Sequence, residues 1–372
     1  MTVVLHVLEA LEGGTARHVS DLVRHVQDVT HHVAVPQHRV GGTTDTLAVP
    51  EMEALGATVH RVDMRRAPAS PHNTSALLVL RRLVRRLRPD VVHGHSAVGG
   101  ALARMAAADA PTRRLYTPNG LHPSVVAMNV ERGLGSLTHA LVAVSASEAA
   151  AAAVRGLAPP DRVVTIPNGI DLTAPADGGD RPPVDVRHLL GLPAAGPIVG
   201  FVGRLVPQKA PELVIEAAAL VHRERPGAAT VLIGSGPREQ ALRALVGRRG
   251  LTGSVHLIPY LPRAALVMDQ FDVLFLPSLY EGCPYTVLEA MRARTPVVLS
   301  DAVGNRDLVT DGVSGRLVRQ GHPDDAAAAL LDVLDDPGAA RGRAEAALVH
   351  LTEHHDIRRT AAATGELYTR ST

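Results

Sequence analysis

The chain has 372 residues, 46% of them apolar and 20% charged, with a formal net charge of +1. That length exceeds what one hydrophobic core usually takes, so two domains are expected. The near-zero charge and 2% aromatic content argue against a nucleic-acid-binding surface. A single cysteine, Cys283, excludes an internal disulfide and points to a reducing cytoplasm. The first residues, Met1 to Gly14, carry no basic n-region or cleavage site and read as a first strand, not as a leader. No apolar run approaches membrane-spanning length. Lys209 is the one lysine in a chain that otherwise writes its positive charge as arginine. It reads as a residue kept for a purpose, with chance survival the alternative.

Thr2 to Leu8 reads as a strand, followed by Glu12-Gly13-Gly14 and an amphipathic helix from Thr15 to Gln27. Strand, glycine pair and helix form a geometry in which backbone approaches a phosphate or sugar closely. The full G-x-G-x-x-G pattern is missing, and a plain tight turn would read the same way. Strands at 32–35, 58–62 and 90–93 alternate with helices around 45–55 and 75–87, the pattern of a parallel sheet wound with helices. Arg81, Arg82, Arg85, Arg86 and Arg88 lie on one or two faces of the second of these helices. They read as a solvated face, with a membrane-surface patch as the sharper alternative. His93 and His95 leave the next strand and are expected to point to opposite sides, with no carboxylate or cysteine beside them; no metal is expected there. His31-His32 and His354-His355 read as surface residues. After a helix at 97–108 comes Thr117-Pro118-Asn119-Gly120-Leu121-His122, then a strand at 140–144. Ser145 or Ser147 caps the following helix, with Glu148 in its first turn.

Residues 173–197 are rich in Pro, Gly and Ala, contain one short helical turn, and mark a domain boundary. Ile198–Val202 restarts the alternation as a buried strand, and a helix follows at 211–223. Between them Arg204 and Lys209, five residues apart, can converge on two phosphoryl groups and stabilise charge on a departing diphosphate; plain surface charges are the alternative. Thr230–Ile233 with Gly234-Ser235-Gly236-Pro237 is another strand–glycine–helix turn. The apolar run Val273–Pro277 leads to two carboxylates, Glu281 on a loop and Glu289 on a helix starting near Pro284. The N–H groups of Tyr285, Thr286 and Val287 are expected to be unpaired and to point back at the strand's carboxyl end, where an open α/β sheet keeps its ligand. Helices at 324–334, 339–351 and 357–368 close the chain.

The segment EGCPYTVLEA resembles the E-x7-E signature of retaining glycosyltransferases of the GT4 family. The resemblance covers nearly the whole length. It includes His93-Gly94-His95-Ser96, Ser145 to Glu148 as V-S-x-x-E, Ile166 to Asp171 as I-P-N-G-I-D, and G-R-x-x-x-x-K-G at 203–210 with Ala210 for the last glycine. It implies an α/β protein of the GT-B fold, two Rossmann-like doubly wound parallel-sheet domains facing a central cleft. The implied boundaries are an acceptor-side domain at 1–175, a linker at 176–196, a nucleotide-sugar-binding domain at 197–352, and a helix at 353–372 that crosses back to the first domain. The resemblance assigns donor binding to Gly13, Gly14, Arg204, Lys209, Gly234, Gly282, Cys283, Pro284, Tyr285 and Glu289, with Glu289 on the ribose. It assigns catalysis to Glu281, Arg204, Lys209 and Asn119, and the acceptor side to His18, His95, Asn119 and His122. Asn119 stands where relatives usually carry histidine; its amide can hydrogen-bond a sugar hydroxyl but cannot share a proton at neutral pH, and His122 is the substitute candidate.

The implied reaction is retaining hexosyl transfer from a nucleoside diphosphate, UDP by expectation, to the hydroxyl of a lipid-linked or small-molecule acceptor. Envelope, exopolysaccharide or glycosylated-metabolite biosynthesis would use it. Neither metal nor cofactor is expected, because arginine, lysine and helix termini do the work of a divalent ion. No nucleic acid partner is expected, and peripheral contact at the inner face of the plasma membrane stays open beside a cytoplasmic location. A catalytically silent sugar-nucleotide-binding subunit and a GT-B sugar-nucleotide epimerase are the alternatives.

Overall fold

The computed structural model describes residues 1–11, 13–37, 48–173, 184–261 and 264–370. Glu12, Asp45 and residues 174–183 of the expected linker lie outside the described residues. The chain divides into two compact units, Met1–Gly169 with Ile357–Thr372, and Ile170–Asp356.

The first unit runs β1 (Thr2–Leu8), α1 (Gly13–His25), β2 (Val29–Pro36), α2 (Ala48–Ala54), β3 (Thr58–Val62), α3 (Pro71–Leu87) and β4 (Val91–His95). It continues α4 (Ala97–Ala106), β5 (Arg113–Thr117), α5 (Val125–Leu134), β6 (Ala140–Ala143), α6 (Ala146–Val154) and β7 (Val163–Thr165). The seven strands pair in parallel in the order β3-β2-β1-β4-β5-β6-β7. Helices cover both faces of such a sheet, so its central strands can be apolar on both sides. Val4, Leu5, Val7 and Leu8 of β1 are accordingly buried. The winding reverses between β1 and β4, and a doubly wound sheet opens its ligand crevice at that reversal. α3 starts four residues earlier than expected because Pro71 takes its first turn, and it stops at Arg88 in the left-handed conformation just before Pro89.

The second unit runs α7 (Val186–Leu190), β8 (Ile198–Val202), α8 (Pro211–Glu224), β9 (Ala229–Ile233), α9 (Glu239–Arg248) and β10 (Val255–Ile258). Then come β11 (Val273–Leu276), α10 (Tyr285–Arg292), β12 (Val297–Ser300), β13 (Arg316–Val318), α11 (Pro323–Asp335) and α12 (Pro337–His354). Its six parallel strands repeat the plan as β10-β9-β8-β11-β12-β13, with the reversal between β8 and β11. The last helix, α13 (Ile357–Thr369), belongs to the first unit. Its Ala361, Leu367 and Tyr368 share a buried cluster with Val4, Leu22, Val26 and Leu115. The Thr360 hydroxyl donates to Pro167 O at 2.7 Å, which fixes where the helix starts against β7's exit.

The histidines depart from expectation. Residues two apart in a strand share a face, so the His93 and His95 rings lie together, centroids 4.1 Å apart, and not on opposite sides. With His6 of β1 their ring nitrogens fall within 4.8 Å of one another. His31 and His355, expected at the surface, are buried, whereas His354 is exposed. Burial holds His6, His93 and His95 well below the ordinary histidine pKa and His18 at about 4. A depressed folded-state pKa gives stability that is complete above the unfolded value, near 6.5, and is lost as pH falls toward the folded value. His18 alone, moved from 6.5 to about 4, accounts for about 3 kcal/mol across that range. The first unit's thermal midpoint is therefore expected to fall steadily between about pH 7 and about pH 5 in calorimetry, less steeply in His18→Gln; a flat midpoint would mean that the rings charge without penalty.

Candidate active site

The loops leaving β8 and β11 flank the reversal of the second sheet. From β8 the chain passes Gly203 and Arg204 into a 3-10 turn, Pro207–Lys209; from β11 it passes Pro277 to Glu281. Lys209 Nζ donates to Glu281 Oε1 at 2.5 Å, and the side chains are only 13% and 7% exposed. The cationic and acidic motifs, 72 residues apart, thus meet in one nearly dry ion pair. Arg204 Nη2 lies 3.5 Å from Gln208 Oε1 on the same turn. Ala210, standing for the pattern's glycine, takes φ 46° and ψ 49° and turns the chain into α8. A left-handed alanine costs roughly 1–2 kcal/mol, so the turn that aims Lys209 is kept at a local penalty.

The carboxylate loop has no ladder of its own, and its backbone groups find partners on three other segments. Gln208 O accepts from Leu279 N at 2.8 Å while Gln208 Nε2 donates to Tyr280 O at 3.0 Å. Leu279 O accepts from Gln320 Nε2 at 2.7 Å, Ser278 O accepts from the Ser300 hydroxyl, and Glu281 N donates to Val303 O at 2.9 Å. Gln208 thereby ties the cation loop to the residues just before Glu281. Sequence reading missed this residue, although it sits beside Lys209, because its partners lie about seventy residues away on the β11 loop. Gly234 has a packing reason: at φ 152°, a Cβ there would fall 1.9 Å from Gly203 O. Its loop docks on the Arg204 loop through Leu205 N to Ser235 O at 3.0 Å and Arg238 N to Leu205 O at 3.1 Å.

Gly282, Cys283 and Pro284 are buried in this loop, Tyr285 is buried at the start of α10, and Glu289 is half-buried further along that helix. Cys283 Sγ lies 4.0 Å from His355 Nδ1, buried as a small loop residue. One expectation fails here: the Val287 N–H is not unpaired, because it closes the first turn of α10 on Pro284 O at 3.0 Å.

In the first unit Gly13 opens α1 at φ 69°, a conformation that favours glycine, with Gly14 exposed behind it in the first turn. His18 and His95 are buried, their rings 5.5 Å apart. Asn119 (φ 55°) and Gly120 (φ 110°) form a left-handed turn that asparagine and glycine tolerate best. Glu148 fastens this turn: its Oε1 accepts from Gly120 N at 2.6 Å and its Oε2 from Val144 N at 2.8 Å. Ser145, not Ser147, caps α6, accepting from Glu148 N at 3.2 Å. His122 is exposed, and its Nδ1 accepts from Ser124 N at 3.0 Å.

Comparison with known proteins fits this arrangement. The sequence pattern of the Glycosyl transferases group 1 matches residues 187–348, and that of Glycosyltransferase Family 4 matches residues 12–174. The D-inositol 3-phosphate glycosyltransferase of Thermobispora bispora is 31% identical over 310 residues, 76% of this chain and 71% of that protein. Its namesake in Nocardia farcinica is 33% identical over 296 residues, 73% of this chain and 65% of its own length. The crystal structure of Anabaena HepE in complex with UDP and glucose is similar at a TM-score of 0.82, with 99% of each chain covered and 20% identity, a likeness of fold. Fold and site therefore define a glycosyltransferase of the GT-B class. The chain belongs to the group 1 glycosyl transferases, with a first half of the Glycosyltransferase Family 4 type.

Gln208→Leu removes the donor to Tyr280 O and the Oε1 partner of Arg204, and it loosens Glu281 while leaving the Lys209–Glu281 charges in place. Tyr280 is half-buried, so its unpaired carbonyl costs about 1 kcal/mol, the low end for a lost acceptor. Sugar transfer is expected to drop roughly tenfold, equivalent to about 1.4 kcal/mol. Undiminished turnover would show that Gln208 does not position the carboxylate.

Proposed function

We propose that the second unit binds a nucleoside diphosphate sugar, a UDP-hexose, at the carboxyl edge of its sheet, and that the enzyme transfers the hexosyl group with retention to an acceptor hydroxyl. The observation that carries this reading is the Lys209–Glu281 ion pair at the β8/β11 reversal, with Arg204 on the same loop. An arriving diphosphate offers Lys209 a second anion and frees Glu281 to face the sugar. Arg204 and Lys209 then take up the charge that builds on the β-phosphate as it leaves, and such preplaced charge is usually the largest catalytic contribution. Glu281 stabilises the positive charge developing at the anomeric carbon, and Glu289 holds the ribose hydroxyls. The departing phosphate takes the acceptor proton, so neither Asn119 nor His122 has to act as a base. Two fixed cations do what a divalent ion would do, and transfer proceeds without metal.

UDP is favoured by the nucleotide bound to HepE, and a small hydroxylated acceptor by the names of the D-inositol 3-phosphate glycosyltransferases. A lipid-linked acceptor is the second reading, favoured by one surface. On α3 the exposed Leu78 and Val79 share a stripe with the exposed Arg82, Arg85 and Arg86, a composition suited to an anionic membrane surface. Among the described residues no helix is long and apolar enough to cross a membrane. We place the enzyme in the cytoplasm, with peripheral contact at the inner leaflet through this stripe.

Deleting Lys209 outright would strand a buried carboxylate, so Lys209→Gln, which keeps a donor for Glu281, is the cleaner variant. It is expected to retain its fold and to lose roughly a hundredfold or more in transfer; unchanged turnover would remove Lys209 from the diphosphate site. In a thermal-shift panel of UDP, GDP, ADP and TDP, UDP alone is expected to raise the midpoint, and silence toward all four would count against the donor site. Transfer is also expected to survive EDTA. Loss of activity that added metal restores would contradict the metal-free mechanism.

A further inference from the structure

Beneath the first sheet a run of three buried histidines crosses neighbouring strands. His31 Nε2 lies 2.9 Å from Val26 O, His31 Nδ1 lies 3.1 Å from His6 Nε2, and His6 Nδ1 lies 3.1 Å from His95 Nε2. Carbonyl oxygens only accept, so His31 must carry its proton on Nε2. Neutral His31 then accepts at Nδ1, which makes His6 a donor at Nε2 and an acceptor at Nδ1. His95 in turn donates from Nε2. One backbone carbonyl thus sets three tautomers, and the run ends on a bare lone pair at His95 Nδ1. That atom is buried and has no hydrogen-bond partner. His95 is the last residue of β4, at the β1/β4 reversal, so this lone pair sits at the edge where a doubly wound sheet keeps its ligands.

A metal ion is the rival occupant. It would have to take the ring nitrogens of His6, His93 and His95, yet His93 already spends both of its own, on Tyr368 OH and Thr117 Oγ1 at 2.8 Å each. Both nitrogens of His6 are likewise engaged. A proton asks for no such rearrangement.

We infer that His31, His6 and His95 form a proton relay that takes up a proton at the ligand edge of the first sheet and holds its charge at the far end, on His31. A proton from solvent bonds to His95 Nδ1. The Nε2–H bond of His95 breaks and its proton passes to His6 Nδ1; the Nε2–H bond of His6 breaks and its proton passes to His31 Nδ1. His31 becomes imidazolium, and His6 and His95 stay neutral with their tautomers inverted. The site for the charge follows from packing. His6 and His95 are wholly enclosed and face one another, His93, His18 and the Tyr368 ring, a set without a carboxylate. His31 is less enclosed, and Val26 O lies just past the last residue of α1, where the helix dipole favours a cation. His32 on β2 and Arg24 and His25 in the last turn of α1 are the positive groups near that end. The consequence at the edge is a reversal of polarity without a charge: His95 Nδ1 is an acceptor before uptake and a donor after it.

The test is side-chain 15N NMR of histidine-labelled protein, assigned by single substitutions. Near pH 8 all three rings are expected as Nε2–H tautomers; on acidification His31 becomes imidazolium while His6 and His95 change to Nδ1–H. The variant His31→Asn keeps an acceptor for His6 but cannot take the proton. It is expected to leave the His95 tautomer near pH 8 unchanged and to abolish its inversion. An Nδ1–H His95 at high pH, an imidazolium on His95 itself, the same inversion in His31→Asn, or unfolding with all three tautomers unchanged would each overturn the relay. Cobalt added at high pH is expected to give no ligand-field absorption; a tetrahedral cobalt spectrum lost in His6→Asn would hand the site to a metal.

Discussion

The Lys209–Glu281 pair is the contact on which the functional reading depends. Taking two charges out of water is expensive, and a buried ion pair commonly stabilises a protein no better than packed apolar groups would. A chain with a single lysine has nonetheless placed it there, on a turn closed by a left-handed alanine, opposite a loop whose backbone is fastened from three sides. Stability is a poor reason for that arrangement. A site that must present a cation to an anionic ligand, and store it against a carboxylate meanwhile, is a better one.

Both units share one plan, a parallel sheet whose winding reverses next to its first strand, but they furnish the reversal differently. In the second unit the loops there carry fixed charge, Arg204, Lys209 and Glu281. In the first unit the same place carries neutral rings, His18 and His95, held uncharged by burial. Charged groups suit a diphosphate, and neutral donors and acceptors suit hydroxyl groups, which is the division of labour expected between the donor and acceptor halves of a sugar transferase.

Most of the alternation of strand and helix was legible, because buried parallel strands are short apolar runs and the helices between them are amphipathic; β5, α5 and β13 were not read. The pairing of Arg204 and Lys209 with the Glu281 loop was legible as two motifs but not as one contact. No local pattern reports that β8 and β11 are neighbours in the sheet. Gln208 escaped notice for the same reason. The histidines were misjudged by applying the wrong geometry: the two-residue period of a strand puts His93 and His95 on one face, and burial of the sheet then encloses His31 as well. Asn119 gains a second reason once its backbone is known, since a left-handed Asn-Gly turn held by Glu148 favours this residue type by itself.

The most direct test of the central claim is a crystal structure of the protein with UDP bound. Diphosphate oxygens are expected within about 3 Å of Lys209 Nζ and of the Arg204 guanidinium, with the Lys209–Glu281 contact lengthened from its 2.5 Å. A diphosphate bound away from both cations, with that contact intact, would contradict it.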